Sequence, residues 1–190
     1  MDFETYLAYH KTIISQKEDQ REVPYDNEDY FNYTKLNWQR SDRWIKTASL
    51  TQECKATVAA IMSPQQWIII TEPWCGDAAH VVPFIYLMAQ SNPLINLDLQ
   101  LRDQPPFLIN EYLTRGSKSI PKLVIRNSQN TDLGTWGPRP QECQELYDKL
   151  SAESADFETV KIALQKWYNA DKGMAIQQEI GALINTISGK

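Results

Sequence analysis

Cysteine is scarce in this chain of 190 residues. There are three, Cys54, Cys75 and Cys143, widely spaced and odd in number. That excludes a disulfide scaffold and suits a reducing compartment. Histidine is scarcer still, with two residues and no Cys/His cluster, which argues against a zinc site. No metal and no cofactor is expected. Positive charge is not in excess: 19 Lys and Arg face 24 Asp and Glu, a net charge of −5. An acidic chain of mixed charges gives no reason to expect nucleic-acid or anionic-membrane binding. No run approaches the roughly 18 apolar residues of a membrane span. The opening stretch, MDFETYLAYHK, is acidic and amphipathic and lacks a basic, then apolar, signal pattern. The expectation is a soluble cytoplasmic protein. No internal repeat or low-complexity tract is visible.

Apolar and aromatic residues are plentiful. Hydrophobic content is 42% and aromatic content 11%, including six Trp and nine Tyr, which excludes a wholly disordered chain. The length suits one domain of ordinary to generous size, with a core that needs no staples.

The first third reads as helical. Phe3, Tyr6, Leu7, His10, Ile13 and Ile14 recur at helical spacing. A polar connection around 17–29, broken by Pro24, leads to a second helical region at about 37–62, with a break near Ser49 and a stop at Ser63-Pro64. The rhythm then changes. WIII (67–70) reads as a short buried strand between Pro64 and Pro73, and 76–91 as a helix. INLDLQL (95–101) alternates as a strand. PPFLINEYLTRG (105–116) reads as a helix that starts after prolines and ends at glycine. KLVIRN (122–127) and DLGTW (132–136) are close enough for a hairpin, and 139–152 reads as a helix. Phe157, Val160, Leu164, Trp167 and Tyr168 form one helical stripe. Beyond a break near Lys172-Gly173, residues 176–187 form another. Alternation of this kind predicts an α/β fold, a mixed central sheet with helices on both faces.

Cys75, in TEPWCGDAAH (71–80), sits where a strand hands over to a helix. A helix N-terminus carries partial positive charge and free N–H groups, which favour a thiolate. The preceding strand delivers Cys75 to the carboxyl end of the sheet, where open α/β sheets place their sites. Asp77 and Glu72 oppose the thiolate by like-charge repulsion. Cys54 and Cys143, each inside an amphipathic helix, read as small buried hydrophobes.

WIIITEPWCGDAAHVVP resembles the active-site segment of the thioredoxin family, strand–Trp-Cys-Gly-Pro-Cys–helix. Pro83 stands eight residues after Cys75, as in that family. SIPKLVI (119–125) is similar to the family's entry into a strand through a cis-proline that faces the cysteine, at a similar distance from it. LRDQPPFLINEYLTRGSKSIP resembles the helix that leads there, and TWGPRP falls where the family has a glycine beside the active site. More narrowly, E-x-WCGDA, IPK and WGPRP look like a bacterial branch with helical extensions at both ends. The resemblance implies a thioredoxin-like domain at 65–152, an N-terminal helical extension at 1–64, and C-terminal helices at 153–190 packed on the same domain. It also departs from the pattern. Ala78 replaces the resolving cysteine, Asp77 the proline before it, and Ile69 the buried acid six residues before Cys75.

The function this implies is thiol–disulfide exchange of monothiol type, with Cys75 as nucleophile and an external thiol for resolution. The substrate would be a protein or a low-molecular-weight thiol or disulfide. Pro121 and the backbone of Ile120 would position it, and Trp74, Gly76 and Asp77 would shape the thiol's surroundings. Trp136 and Gly137 would wall the cleft, although Trp136 reads equally as core. The alternative is a non-catalytic binding or redox-sensing module of the same fold. His80, five residues after Cys75, falls off its helical face and makes a poor catalytic partner. Lys118 and Lys122 read as solvated lysines or as attractors of an anionic thiol. Arg139 reads as an anion contact or a packing cap, and Arg40, Arg43 and Lys46 as a solvated face.

Overall fold

The computed structural model describes residues 1–189. Its elements run α1 (Phe3–Ser15), α2 (Glu28–Thr47), α3 (Gln52–Ala59), β1 (Gln65–Thr71), α4 (Gly76–Gln90), β2 (Ile95–Leu101), β3 (Lys122–Asn127), β4 (Asp132–Trp136), α5 (Gln141–Ala152), α6 (Phe157–Asp171) and α7 (Met174–Ile187). The four strands form one sheet in the order β2-β1-β3-β4. β1 runs parallel to β2 and antiparallel to β3, and β3 and β4 form the antiparallel hairpin with a bulge at Ile125/Arg126.

β1 is central because both of its faces are apolar. Trp67 and Ile69 point to one side of the sheet, Ile68 and Ile70 to the other, and all four are buried. A strand of this kind is stable only with helices over both faces. α4 follows it and is buried nearly all round, Ala78 through Ala89, with Pro83 inside it. Its neighbours α2, α3 and α7 cover it. The helices at either end therefore complete the core of the sheet's main helix, and Trp44, Val58, Tyr168, Ile176, Ile180 and Ile184 belong to the same apolar cluster as β1.

Three expectations need correction. α2 begins at Glu28, about nine residues before the expected start. Asn27 caps it by accepting from the Tyr30 N–H, and Glu28 and Asp29 favour its positive end. The helix expected over 105–116 is a short 3-10 turn at Leu108–Glu111 within irregular chain. Phe107 and Arg115 take left-handed backbone conformations that interrupt any helix. Phe157, placed on the buried stripe of α6, is 72% exposed, and Leu164 and Tyr168 carry that helix's burial. The break before α7 is where it was expected, with Lys172 and Gly173 both left-handed.

Candidate functional site

Cys75 is the N-cap residue of α4. Its Sγ accepts from the Ala78 N–H at 3.4 Å and donates to the Ile120 carbonyl at 3.3 Å. The Ile120–Pro121 peptide bond is cis, and both residues are buried. Cys75, Gly76, Asp77 and Ile120 are thus brought together, with Pro121 joined to Ile120 and Trp74 beside the thiol on the same cavity wall. Trp136 and Gly137 do not line that cavity, although Gly137 packs against the Pro121 carbonyl. They line a second, neighbouring cavity, and the Trp136 indole donates to Glu179 at 2.7 Å.

The thiol is buried, with 7% of the residue exposed. Burial pushes the Cys75 pKa up to about 12, and the Asp77 carboxylate adds to the rise. The Ala78 and Asp77 N–H groups and Arg139 pull the other way and lose. Placement at a helix N-terminus is therefore not enough to ionise this cysteine at neutral pH. No base touches it. The two ring nitrogens of His80 are spent on the Trp44 indole N–H, at 2.9 Å, and on Gln165, at 3.0 Å. Glu72, 4% exposed, accepts from the Asp103 N–H at 2.9 Å rather than from the thiol, and burial lifts its pKa to about 7.

α2 holds the Cys75 loop with one stripe of side chains. Tyr33, Asn37, Ser41 and Trp44 recur at spacings of four, four and three, which places them on one helical face. The Tyr33 hydroxyl lies where a Cβ on Gly76 would fall, so a larger residue there would have to displace the Tyr33 ring. Asn37 donates to the Pro73 carbonyl at 3.2 Å, Ser41 to the Ala79 carbonyl at 3.4 Å, and Trp44 reaches His80. The sequence reading missed these residues. Their repeat is a legible signal once the helix is known to start at Asn27.

Asp77 is partly buried and paired. Arg139 meets it at 2.7 Å, and the Tyr168 hydroxyl of α6 donates to it at 3.0 Å. Burial raises the Asp77 pKa against the pull of Arg139. Arg139 is therefore neither a free anion contact nor a simple cap: it neutralises Asp77. Cys143, read from the sequence as a small buried hydrophobe, packs near the same group. It is fully buried, and burial, followed by the Asp77 charge, pushes its thiol up to about 12. Lys122 is buried as well, donating to Thr114 Oγ1 at 2.7 Å and the Gly137 carbonyl at 2.9 Å. Cys54 is buried in α3. All three cysteines are free thiols.

Beside Cys75 opens a cavity of about 1200 Å³. α2 forms one wall with Tyr33, Leu36 and Arg40. α6 forms another with Phe157, Lys161 and Leu164. Trp74 stands at the loop, with the Arg102 guanidinium 4.5 Å from its ring centre. Among the described residues no cluster of His, Cys, Asp or Glu is arranged to hold a metal ion. Among the described residues no helix is long and apolar enough to cross a membrane.

The comparisons with known proteins agree with this architecture. No curated protein matches the chain significantly. An HIV epitope scaffold of known structure superposes with a TM-score of 0.55 at 12% identity, covering 100% of this chain and 99% of that one. A protein of unknown function from Pseudomonas aeruginosa superposes with a TM-score of 0.52 at 13% identity, covering 91% and 92%. At such identities the likeness concerns the fold alone. The family model Thioredoxin_9, described as thioredoxin, matches residues 23–153, so it takes in α2 and α3 along with the whole sheet. The chain belongs to that thioredoxin family.

Proposed function

We propose that this thioredoxin-fold protein is a binding module, in which Cys75 caps α4 and forms part of a cavity wall rather than working as a standing nucleophile. The observation that carries this reading is the state of the thiol. It is buried, that burial pushes its pKa up, and it is bonded to the Ile120 carbonyl with no base in contact among the described residues. Exchange needs a thiolate and a resolving thiol. Ala78 stands where the second sulfur would be. The large cavity alongside is the feature the site does offer. Three free, buried thiols suit a reducing, cytoplasmic setting.

One observation favours the second reading, a monothiol oxidoreductase of the WCGDA bacterial type. Sγ borders the cavity and lies among two N–H groups and the Ile120 backbone, where an extended substrate would pair. In that chemistry the Cys75 thiolate attacks a substrate disulfide, forms a mixed disulfide and releases one substrate thiolate. A second, external thiol then attacks the mixed disulfide and regenerates Cys75.

The alkylation rate of Cys75 against pH separates the two readings, with peptide mass spectrometry and with Cys54 and Cys143 as internal controls. The binding reading expects a midpoint above the ~8.5 of a free thiol and labelling no faster than that of the two controls. A midpoint below it, with Cys75 labelled ahead of the others, establishes the oxidoreductase reading instead.

A further inference from the structure

The cavity beside Cys75 has a wall that the family match does not include. The match ends at residue 153, and α6 begins at Phe157. α6 closes over the Cys75 loop through Tyr168 and Asp77 and turns a groove along α2 into a cleft between two helices. The charges on that cleft are unevenly paired. Asp77 is neutralised by Arg139, Glu158 by Lys161, and Arg102 by Asp103. Two cations remain. Arg40 donates to the neutral Asn37 at 2.8 Å, and Lys118 is exposed. Among the described residues neither has a carboxylate within ion-pair distance. Asp29, exposed on the rim, is the one lining acid outside these pairs. Two unpaired cations in one cleft are notable in a chain of net charge −5. The rest of the lining is apolar or aromatic. Tyr30, Leu36 and Phe157 are 47%, 40% and 72% exposed there, a larger apolar outlay than a lone surface residue represents.

We infer that the cleft between α2 and α6 binds an organic carboxylate with an apolar or aromatic body, its anionic end held by Arg40 and Lys118 and its body laid along Leu36, Trp74, Phe157 and Leu164. This rests on the binding reading above and names its ligand class. A guanidinium and an ammonium that both line one open space provide charge-assisted donors for a carboxylate. The aromatic walls bury the body, and a volume of about 1200 Å³ leaves room for more than a single ring. The carboxylate belongs either to a small free acid or to the C-terminus of a peptide, because both present the same chemistry.

Isothermal titration of the full chain tests this with four probes: 2-naphthylacetate, its primary amide, N-acetyl-Phe-Leu with a free carboxylate, and the amide of that dipeptide. The acids should bind tighter than their amides by about tenfold, the worth of one charge-assisted contact. The double variant Arg40→Gln, Lys118→Gln should lose that preference and keep the amide affinities, with folding verified by circular dichroism. If Arg40→Gln disturbs the fold, Lys118→Gln alone, at an exposed side chain, should still lower the preference. The tighter of the two acids identifies the source. Equal affinity for acid and amide overturns the inference and leaves the binding reading intact. A preference that survives both substitutions overturns the assignment to Arg40 and Lys118. No binding of any probe overturns the inference, and the Cys75 alkylation midpoint decides the binding reading separately.

Discussion

At Asp77 a carboxylate faces Arg139 on one side and the Tyr168 hydroxyl on another, and its field reaches the thiol two residues before it. Asp77 stands where the wider family has a proline, so the substitution adds a negative charge beside the sulfur. Replacing Asp77 with Asn removes that charge and frees Arg139 to stabilise a thiolate. Both changes lower the Cys75 pKa, and the alkylation midpoint of D77N should fall below that of the wild-type chain. The same change leaves Arg139 unpaired, 16% exposed at its side chain, at a cost on the order of 3 kcal/mol. D77N should therefore be more reactive at Cys75 and less stable to urea. An unchanged midpoint would mean that burial alone holds the thiol protonated.

At the scale of elements, most of the sheet was legible because its signals are local. The apolar run of β1, the alternation of β2 and the short β3–β4 connection each follow from a few neighbouring residues. The segment at 105–116 was not legible. Its spacing suits a helix, and only the left-handed backbone at Phe107 and Arg115 shows that the chain cannot follow it. The site divides in the same way. Cys75, Ile120 and Pro121 lie in motifs, whereas Arg40 and Tyr168 reach the site through helix packing that no local pattern encodes. The junction of α6 and α7 shows how tight that packing is. Gly173 has φ +77°, and a Cβ there would fall against the ring of Phe84 in α4. Gly173→Ala combines a strained backbone with a clash against a fully buried ring, and should cost about 2 kcal/mol or more. Moving Phe84→Leu into that variant should recover part of the loss if the clash matters. A wild-type urea midpoint for Gly173→Ala would show that α6 and α7 sit less closely on α4 than described.

For the whole molecule, the buried ionisable groups set how stability depends on pH. His10 is buried against the Thr34 carbonyl at 3.0 Å. His80 must stay neutral at Nδ1 to accept from Trp44. Burial lowers their pKa values from 6.5 to about 4 and about 3. The unfolded chain thus takes up two protons below about pH 6.5 that the folded chain refuses, and stability falls as the pH falls. Glu72 works in the opposite direction. Its pKa rises from 4.5 to about 7, so between those values the folded chain holds a proton that the unfolded chain has lost. Between about pH 6.5 and 4.5 the balance is two protons against one, in favour of destabilisation by acid. Each uncompensated proton is worth about 1.4 kcal/mol per pH unit. Asp77 and Asp171, both raised by burial, pull the same way as Glu72. Urea unfolding measured at half-unit steps should show stability declining on acidification through this window. Glu72→Gln removes the opposing proton and should steepen the decline towards the two-histidine slope. Stability that is flat or rises on acidification would mean that His10 and His80 accept protons in the folded chain. The Trp44–His80 contact, which joins α2 to α4 behind the Cys75 loop, would then have to open at mildly acidic pH.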